Sequence, residues 1–206
     1  MARGEAMNGE PATGSTGQPS RASKLQGEVP LCVDLDGTLV ACDTLRVSLY
    51  GLLRRKPWVF VHLPFQVFRG RAAFKSRVAG LISIETARLP YREEVVTFLR
   101  TERQARRRLI LVTAADVRIA RAVASHLGLF DEVIASDGVS NIKGDGKVSA
   151  IRSYLAGGAF DYMGDSVADL PVFAAARRAI LVHPSPRVLR RAESLCRIEC
   201  TFGVAS

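Results

Sequence analysis

Val33-Asp34-Leu35-Asp36-Gly37-Thr38-Leu39 stands at the end of an apolar run that begins at Val29. The fold and function predicted for the whole chain depend on how this stretch is interpreted. The run predicts a first strand over 29–35 that is buried on both faces, as in a parallel sheet. Gly37 ends this strand, so two carboxylates stand where the strand meets its turn. Buried acids are costly unless a metal, a proton or a hydrogen-bond donor satisfies them. A plain Asp-Gly turn is the alternative, and residues later in the chain decide between the two.

The rest of the chain alternates short apolar runs with helical patterns. Further strands are predicted at 109–112, 132–135, 160–163 and 179–182, with helices at 93–108, 117–127, 147–155 and 170–176. This alternation predicts an α/β fold with a doubly wound, Rossmann-like parallel sheet. In such sheets ligands bind beyond the carboxyl ends of the strands.

Composition divides the 206 residues into four parts. Residues 1–27 are rich in small and polar residues without a hydrophobic period, and are expected to be a disordered leader. Residues 28–42 and 90–185 form the predicted core. Residues 43–89 read as a small helical cap inserted into it, and residues 186–206 as a C-terminal tail that begins as a basic helix.

The formal net charge is +9, from 29 basic and 20 acidic residues. This balance favours polyanionic partners, namely nucleic acid, anionic lipid surfaces or phosphorylated substrates. The bases are spread over the chain and form no nucleic-acid motif, so a nucleic-acid partner is not expected. The four cysteines are expected to be reduced thiols, and no stretch reaches the roughly 18 apolar residues of a membrane span. We therefore expect a cytoplasmic protein.

Polar residues stand at the predicted carboxyl ends of several strands, which meet at one edge of the sheet. They are Asp34, Asp36 and Thr38 after the first strand, Thr113 after the second, Lys143 or Lys147 before the helix that precedes the fourth, and Asp165 and Asp169 after the fourth. A functional role for Thr113 competes with a helix N-cap, and Asp116 is expected to be an exposed acid in the first turn of that helix.

This set suits phosphoryl transfer through a covalent aspartyl-phosphate. Asp34 would be the nucleophile, and Asp36 the general acid for the leaving alcohol and then the base for water. Asp34 and Asp165 would hold Mg²⁺, which offsets the repulsion between a carboxylate and a phosphate dianion. Asp169 would orient the metal site from behind. Thr113 and the lysine would bind the phosphoryl oxygens.

The ordered motifs, Asp34-Leu-Asp36-Gly-Thr38, Thr113, a lysine and Gly164-Asp165-x-x-x-Asp169, resemble those of the haloacid dehalogenase-like (HAD) hydrolase superfamily. The resemblance covers about 29–182. It implies the strand order 5-4-1-2-3, a Mg²⁺ cofactor that also contacts the backbone carbonyl of Asp36, and a phospho-aspartate at Asp34.

Within the superfamily, the resemblance bears on reaction type and on the lysine. Dehalogenase members lack an acid at the position of Asp36, and the ion-pumping ATPases carry threonine there, so Asp36 favours a phosphatase or a mutase. Phosphatase is the preferred reading. Lys143-Gly144 matches the Lys-Gly pattern of members similar to serine phosphatases. Lys143 is therefore preferred as the phosphate-binding lysine, with Lys147 as the alternative.

A closer resemblance rests on the run 44–89 and on Thr113-Ala-Ala-Asp116, Ala135-Ser-Asp-Gly138, Asn141-Ile-Lys-Gly144 and Gly164-Asp-Ser-Val-Ala-Asp-Leu-Pro171. These are similar to the HAD-type domain fused ahead of UbiA-family prenyltransferases, and to the NoeC nodulation proteins of rhizobia. The resemblance implies a phosphosugar substrate, a polyprenyl-linked phosphoribose on the route to arabinosyl donors, for arabinosylation of a glycan or nodulation signal. The alternative is a non-catalytic accessory partner of a membrane prenyltransferase.

The predicted cap has an unusual charge pattern. No acid occurs between Asp43 and Glu85, whereas residues 46–77 carry eight bases around the uncharged aromatic run 58–68. One interpretation is a cap that packs on itself with solvated bases. The other is contact with anionic head groups at the inner face of the membrane.

Overall fold

The structure, a computed structural model, describes residues 29–44, 86–137 and 142–203. Within these residues one sheet contains six parallel strands in the order β3-β2-β1-β4-β5-β6. The strands are β1 (Leu31–Val33), β2 (Leu109–Asp116), β3 (Glu132–Ser136), β4 (Asp161–Gly164), β5 (Arg178–Val182) and β6 (Arg197–Phe202). The predicted α/β class and the order 5-4-1-2-3 are confirmed, and β6 extends the sheet beyond β5.

Helices connect the strands at both faces of this sheet. The described part contains α1 (Glu93–Gln104), α2 (Val117–Leu127), α3 (Asp145–Tyr154), α4 (Leu170–Ala175) and α5 (Pro186–Leu195), with 3-10 turns at Thr86–Arg88 and Val167–Asp169. Asp116 is the N-cap of α2, and its carboxylate accepts the Arg118 N–H at 3.0 Å; Gly128, with φ of 65°, is the C-cap. Both are favoured helix-end residues.

The sheet separates two apolar cores, and β1 contributes to both. Leu31 and Val33 pack in one cluster with α1 and α2, whereas Cys32 packs in the other with α4 and α5. Alternate strand residues face opposite sides of a sheet, which explains this division. All three side chains are fully buried, as predicted for a strand at the centre of a parallel sheet.

Several segments differ from the sequence prediction. Strand β1 covers only Leu31–Val33 of the predicted 29–35, and β2 continues beyond 112 to Asp116. Helix α1 ends at Gln104 instead of 108, because Arg106 takes a φ of 65° and turns the chain towards β2. The predicted tail contains the expected helix, α5, and also β6, which pairs with β5 between Arg197 and Phe202 with a register shift at Glu199. The hydrophobic pattern that would predict β6 is weak, because β6 is an edge strand. Its exposed Arg197 and Glu199 alternate with partly buried residues.

The predicted leader and nearly all of the predicted cap lie outside the described residues. The residues that flank the predicted cap, 40–41 and 90–91, lie next to each other. Ala41 N–H donates to the Pro90 carbonyl at 2.9 Å, and Val40 bridges Tyr91. Both flanks of the predicted cap therefore adjoin the loop that follows β1 and carries Asp36. In the part of the chain that the structure describes, no helix is long and apolar enough to cross a bilayer.

Candidate active site

Asp34 lines a cavity of about 550 Å³ at the carboxyl edge of the sheet. It follows β1 directly, its N–H donates to the Met163 carbonyl of β4 at 3.0 Å, and the residue is 6% exposed. The cavity brings together every predicted site residue: Asp34, Asp36, Thr113, Lys143, Lys147, Asp165 and Asp169. The strand order explains this, because β1 lies between β2 and β4.

Gly37 allows the loop after β1, residues 34–40, to approach Asp165 closely. Its φ is 86°, and a Cβ at this position would lie 2.3 Å from Asp165 Oδ2. Any other residue would therefore clash and would also be strained. Next to it, Thr38 Oγ1 donates to Asp165 Oδ1 at 3.1 Å and lies 3.5 Å from Asp34 Oδ2. The loop thus holds the two predicted metal-binding acids together.

Lys147 of α3 is the lysine that contacts the nucleophile candidate. Its Nζ lies 2.7 Å from Asp34 Oδ1, 2.8 Å from Asp169 Oδ1 and 2.8 Å from the Tyr162 hydroxyl. It is 4% exposed. Lys143 lines the same cavity but is exposed, just before α3 begins. The geometry favours Lys147 over Lys143, the lysine preferred from the sequence, as the one that acts beside Asp34, because the Lys147 ammonium is buried against Asp34 whereas Lys143 is exposed.

Asp169 is fully buried and accepts four hydrogen bonds. Oδ1 accepts from Lys147 and from the Tyr162 hydroxyl at 2.7 Å, and Oδ2 accepts from the Ser166 N–H at 3.1 Å and its hydroxyl at 2.7 Å. A carboxylate has about four acceptor positions, so these bonds use its capacity. The arrangement suits a residue that orients its neighbours.

The site holds more negative than positive charge. Burial, together with the nearby Asp169 carboxylate, raises the pKa of Asp34 although Lys147 opposes this. Burial and Asp169 also raise the pKa of Asp165 to about 6. Burial disfavours the Lys147 ammonium, but the Asp34 and Asp169 carboxylates outweigh it and raise its pKa. Burial likewise opposes the charged form of Asp169, yet Lys147 and the Ser166 and Tyr162 bonds lower its pKa.

This donor set fits a divalent cation. Asp34, Asp165 and Asp169 offer carboxylate oxygens that all lie within 4.8 Å of one another. Such oxygens are the ligands that Mg²⁺ prefers. Because Asp169 already accepts four hydrogen bonds, Asp34 and Asp165 are the better candidates for direct ligands. An added positive charge would also favour the ionised forms of both.

Asp36 and Thr113 also line the cavity. Asp36 is half-buried, and its Oδ1 accepts the Thr44 N–H at 2.8 Å. Thr113 is 1% exposed and its Oγ1 accepts the Ala115 N–H at 3.0 Å, which leaves its hydroxyl hydrogen to donate. The N-cap of α2 is Asp116, so that alternative for Thr113 is wrong. Asp116 is 3% exposed, and its expected exposure is also wrong.

Two residues of this region were not identified from the sequence. Tyr162 of β4 contacts both Lys147 and Asp169, and Arg92 Nε donates to the Gly37 carbonyl at 3.0 Å. A tyrosine within a strand buried on both faces needs a partner for its hydroxyl, and that signal could have found Tyr162. The sequence contains no comparable signal for Arg92.

Comparison with known proteins gives relatives of both sequence and fold. A curated relative, the uncharacterized protein y4nM of Sinorhizobium fredii, is 41% identical over 155 residues, which are 75% of this chain and 30% of that protein. Copper-transporting ATPase 2 of Rhizobium meliloti is 30% identical over 54% of this chain and 12% of its own length. The matches therefore span less than a third of either curated relative.

Solved structures share the fold at low sequence identity. A protein with unknown function from Bordetella pertussis superposes with a TM-score of 0.62 at 20% identity, over 82% of this chain and 96% of that one. A substrate-bound phosphoserine phosphatase superposes with a TM-score of 0.56 at 15% identity, over 84% and 94%. These likenesses establish the fold.

The family follows from a direct match to the sequence. The model of the haloacid dehalogenase-like hydrolases matches residues 31–174. The match contains all the strand-end acids, Thr113 and both lysines, and it covers well over half of the chain. The chain therefore belongs to the haloacid dehalogenase-like hydrolase family.

Proposed function

We propose that the chain is a Mg²⁺-dependent phosphatase that forms an aspartyl-phosphate on Asp34. The observation that carries this proposal is the contact between Asp34 and the buried Lys147 ammonium, both of which line the cavity. The ammonium holds Asp34 in place and can bind the phosphoryl oxygens next to it. Asp34 and Asp165 would bind Mg²⁺, which supplies positive charge between the nucleophile and the phosphate.

The reaction has two steps, each with a defined proton transfer. A carboxylate oxygen of Asp34 attacks phosphorus, the bond from phosphorus to the leaving oxygen breaks, and protonated Asp36 gives its proton to the leaving alcohol. Asp36 then takes a proton from a water that attacks phosphorus, which frees phosphate and restores Asp34. The Thr44 N–H holds the Asp36 carboxyl at the cavity wall for both transfers.

Lys147 and Thr113 would bind the oxygens of the transferred phosphoryl group. Lys147 is adjacent to Asp34, and Thr113 lies in the carboxyl-terminal half of the neighbouring strand β2, where it lines the cavity. Donors fixed around the charge that develops during transfer lower the barrier without having to reorganise. In this assignment Lys143 stands at the cavity rim and has no contact with the phosphoryl group.

The proposal is tested by hydrolysis of a generic aryl phosphate with Mg²⁺, with EDTA-treated enzyme as the control. We expect Asp34→Asn to lose turnover and Asp36→Asn to lose more activity with a poor leaving group than with an aryl one. Equal rates for the wild type and Asp34→Asn would refute the nucleophile. No turnover across a broad phosphoester panel would favour the alternative, a non-catalytic accessory partner of a membrane prenyltransferase.

We further propose a phosphosugar substrate, with a polyprenyl-linked phosphoribose as the leading candidate. The resemblance of residues 44–89 and of the site motifs to the prenyltransferase-fused domains supports this, as does the basic character of the insertion. Comparing kcat/KM for ribose 5-phosphate with and without a short prenyl phosphate at the anomeric carbon tests it. Preference for the free sugar phosphate would contradict the lipid-linked assignment.

The same proposal includes contact of residues 46–77 with an anionic membrane surface and proximity to a UbiA-type prenyltransferase. Eight bases and an uncharged aromatic run support surface binding. Flotation with anionic liposomes at low salt should recover the wild type but not a Trp58/Phe60/Phe65→Ser variant. If both remain unbound, the membrane contact is refuted while the phosphatase assignment stands.

A further inference from the structure

Tyr162 places a hydroxyl among the charged groups beneath the active site. Tyr162 has no solvent-accessible surface. Its ring packs edge-on against that of Phe173, with 5.5 Å between the ring centroids. The hydroxyl donates to Asp169 Oδ1 at 2.7 Å and lies 2.8 Å from Lys147 Nζ, whose ammonium donates to it. Tyr162 thus connects the proposed phosphoryl-binding lysine to the acid that orients it.

The donor count of Lys147 makes this hydroxyl important for the reaction. An ammonium has three N–H groups, and here they point to Asp34, Asp169 and Tyr162. A phosphoryl oxygen can therefore be bound only when one of the three partners is released. Asp34 is the partner that changes, because its carboxylate loses its full negative charge when it becomes an acyl phosphate.

We propose that Tyr162 is a positioning residue. It holds Lys147 in place while one N–H group of the ammonium exchanges its hydrogen bond to Asp34 for one to the transferred phosphoryl group. With Asp169, Tyr162 gives the ammonium two contacts that do not take part in the chemistry. Without the hydroxyl, Lys147 keeps its charge but can rotate away from the line between Asp34 and the phosphate. This inference rests on the proposed phosphatase function and names a residue that supports its transition state.

The test uses Tyr162→Phe, which removes one oxygen and keeps the ring against Phe173. Tyr154→Phe is the matched control, because Tyr154 is exposed on α3 and its hydroxyl contacts Arg108 and Glu132 away from the cavity. Loss of alignment at the reacting group costs up to about 10²-fold. We expect a roughly 10-fold to 100-fold loss in kcat for Tyr162→Phe with KM unchanged, and wild-type kinetics for Tyr154→Phe.

A purely structural role makes a different prediction. It lowers the melting temperature of Tyr162→Phe while kcat per folded molecule stays at the wild-type value, and this outcome would overturn the proposal. A double-mutant comparison sharpens the result: in a Lys147→Met background, Tyr162→Phe should cause no further loss, because its effect passes through the ammonium. Additive losses would contradict that route.

A second variant keeps the test informative if Tyr162→Phe does not fold. A fluorinated tyrosine incorporated at position 162 preserves the ring and the hydroxyl but makes the oxygen a poorer acceptor for the ammonium. We expect kcat to fall with increasing fluorination and KM to stay constant; an unchanged kcat overturns the proposal. A wild-type chain without any phosphoester turnover would instead refute the phosphatase assignment itself.

Discussion

The two ends of β4 carry buried acids with opposite charge balance. At its beginning Asp161, fully buried, contacts two arginines: Arg107, and Arg177 through Nε at 2.9 Å and a terminal nitrogen at 2.6 Å. At its other end Asp165 joins Asp34 and Asp169 in a cluster of three carboxylates, and Lys147 contacts two of them. At the beginning of β4, one carboxylate is paired with two guanidinium groups. At its carboxyl end, three carboxylates share one ammonium.

The difference separates a structural site from a functional one. Asp161 is fully compensated within the protein, so it adds a link between β4, the α1–β2 connection and β5 without attracting a ligand. The three acids at the carboxyl edge are short of positive charge, and burial raises the pKa of Asp34 and Asp165. A divalent cation would supply the missing charge, which is the condition for the proposed chemistry.

Removal of the buried Lys147 ammonium should have the largest effect. Lys147→Met deletes the cation against Asp34 and leaves three carboxylates together. We expect kcat for aryl phosphate to fall about 10²-fold to 10³-fold, the usual loss for a donor that stabilises transition-state charge. Steady-state kinetics with saturating Mg²⁺ measure this, with circular dichroism to verify folding. A loss below tenfold would contradict the role of Lys147.

The opposite end of β4 should affect stability and leave catalysis unchanged. Asp161→Asn leaves two arginines without their shared charge, and we expect a loss of about 2–3 kcal/mol in the free energy of unfolding. The value lies below that of a fully buried pair because Arg177 is partly exposed and Arg107 also contacts Glu102. Urea denaturation measures it, and kcat per folded molecule should equal the wild-type value.

Glu199→Gln is the matched control for that comparison. Glu199 lies 3.7 Å from Arg178 in a half-exposed pair on the edge of the sheet. Exposed ion pairs contribute roughly 0–1 kcal/mol, so its loss should be much smaller than that of Asp161. Equal losses for the two variants would show that burial of Asp161 does not set its contribution.

The charge deficit at the carboxyl edge predicts a pH-dependent response to Mg²⁺. Without metal, the raised pKa of Asp165, about 6, means that the folded state binds more protons than the unfolded chain above about pH 4. Asp34, also raised, extends this range upward. The metal-free protein should therefore lose stability as the pH rises through this window. Mg²⁺, which binds the ionised acids, should recover it.

Thermal melts with and without Mg²⁺ at about pH 5 and about pH 8 measure this effect. We expect an increase of a few degrees in the melting temperature at the higher pH and a smaller one at the lower pH. In Asp165→Asn the increase at the higher pH should disappear. An increase that is larger at low pH would contradict the assignment of these acids to a metal.

Lys143 should give the smallest effect, because it lies exposed at the cavity rim. Lys143→Met should lower kcat/KM for aryl phosphate by at most about fivefold, the scale of a screened surface interaction of roughly 1 kcal/mol. A loss as large as that of Lys147→Met would restore the sequence-based preference for Lys143 as the phosphoryl-binding lysine.

The sequence predicted the sheet and the acids well because both follow from local patterns. Each inner strand contains a short apolar run, and the site acids follow two of these runs. The sequence could not decide between Lys143 and Lys147, because this choice depends on where α3 begins and on which of the two side chains points into the core. Tyr162 and β6 were missed for related reasons: one acts through a contact across strands, and the other is a half-exposed edge strand.

The most direct test of the account is the covalent state of Asp34 during turnover. Rapid acid quench of the enzyme with aryl phosphate and Mg²⁺, followed by peptide mass spectrometry, should find one phosphoryl group on the peptide that contains Asp34. The label should disappear in Asp34→Asn and accumulate in Asp36→Asn, which cannot activate water. Turnover by the wild type with no phosphorylated peptide, or with the label on another residue, would contradict the account.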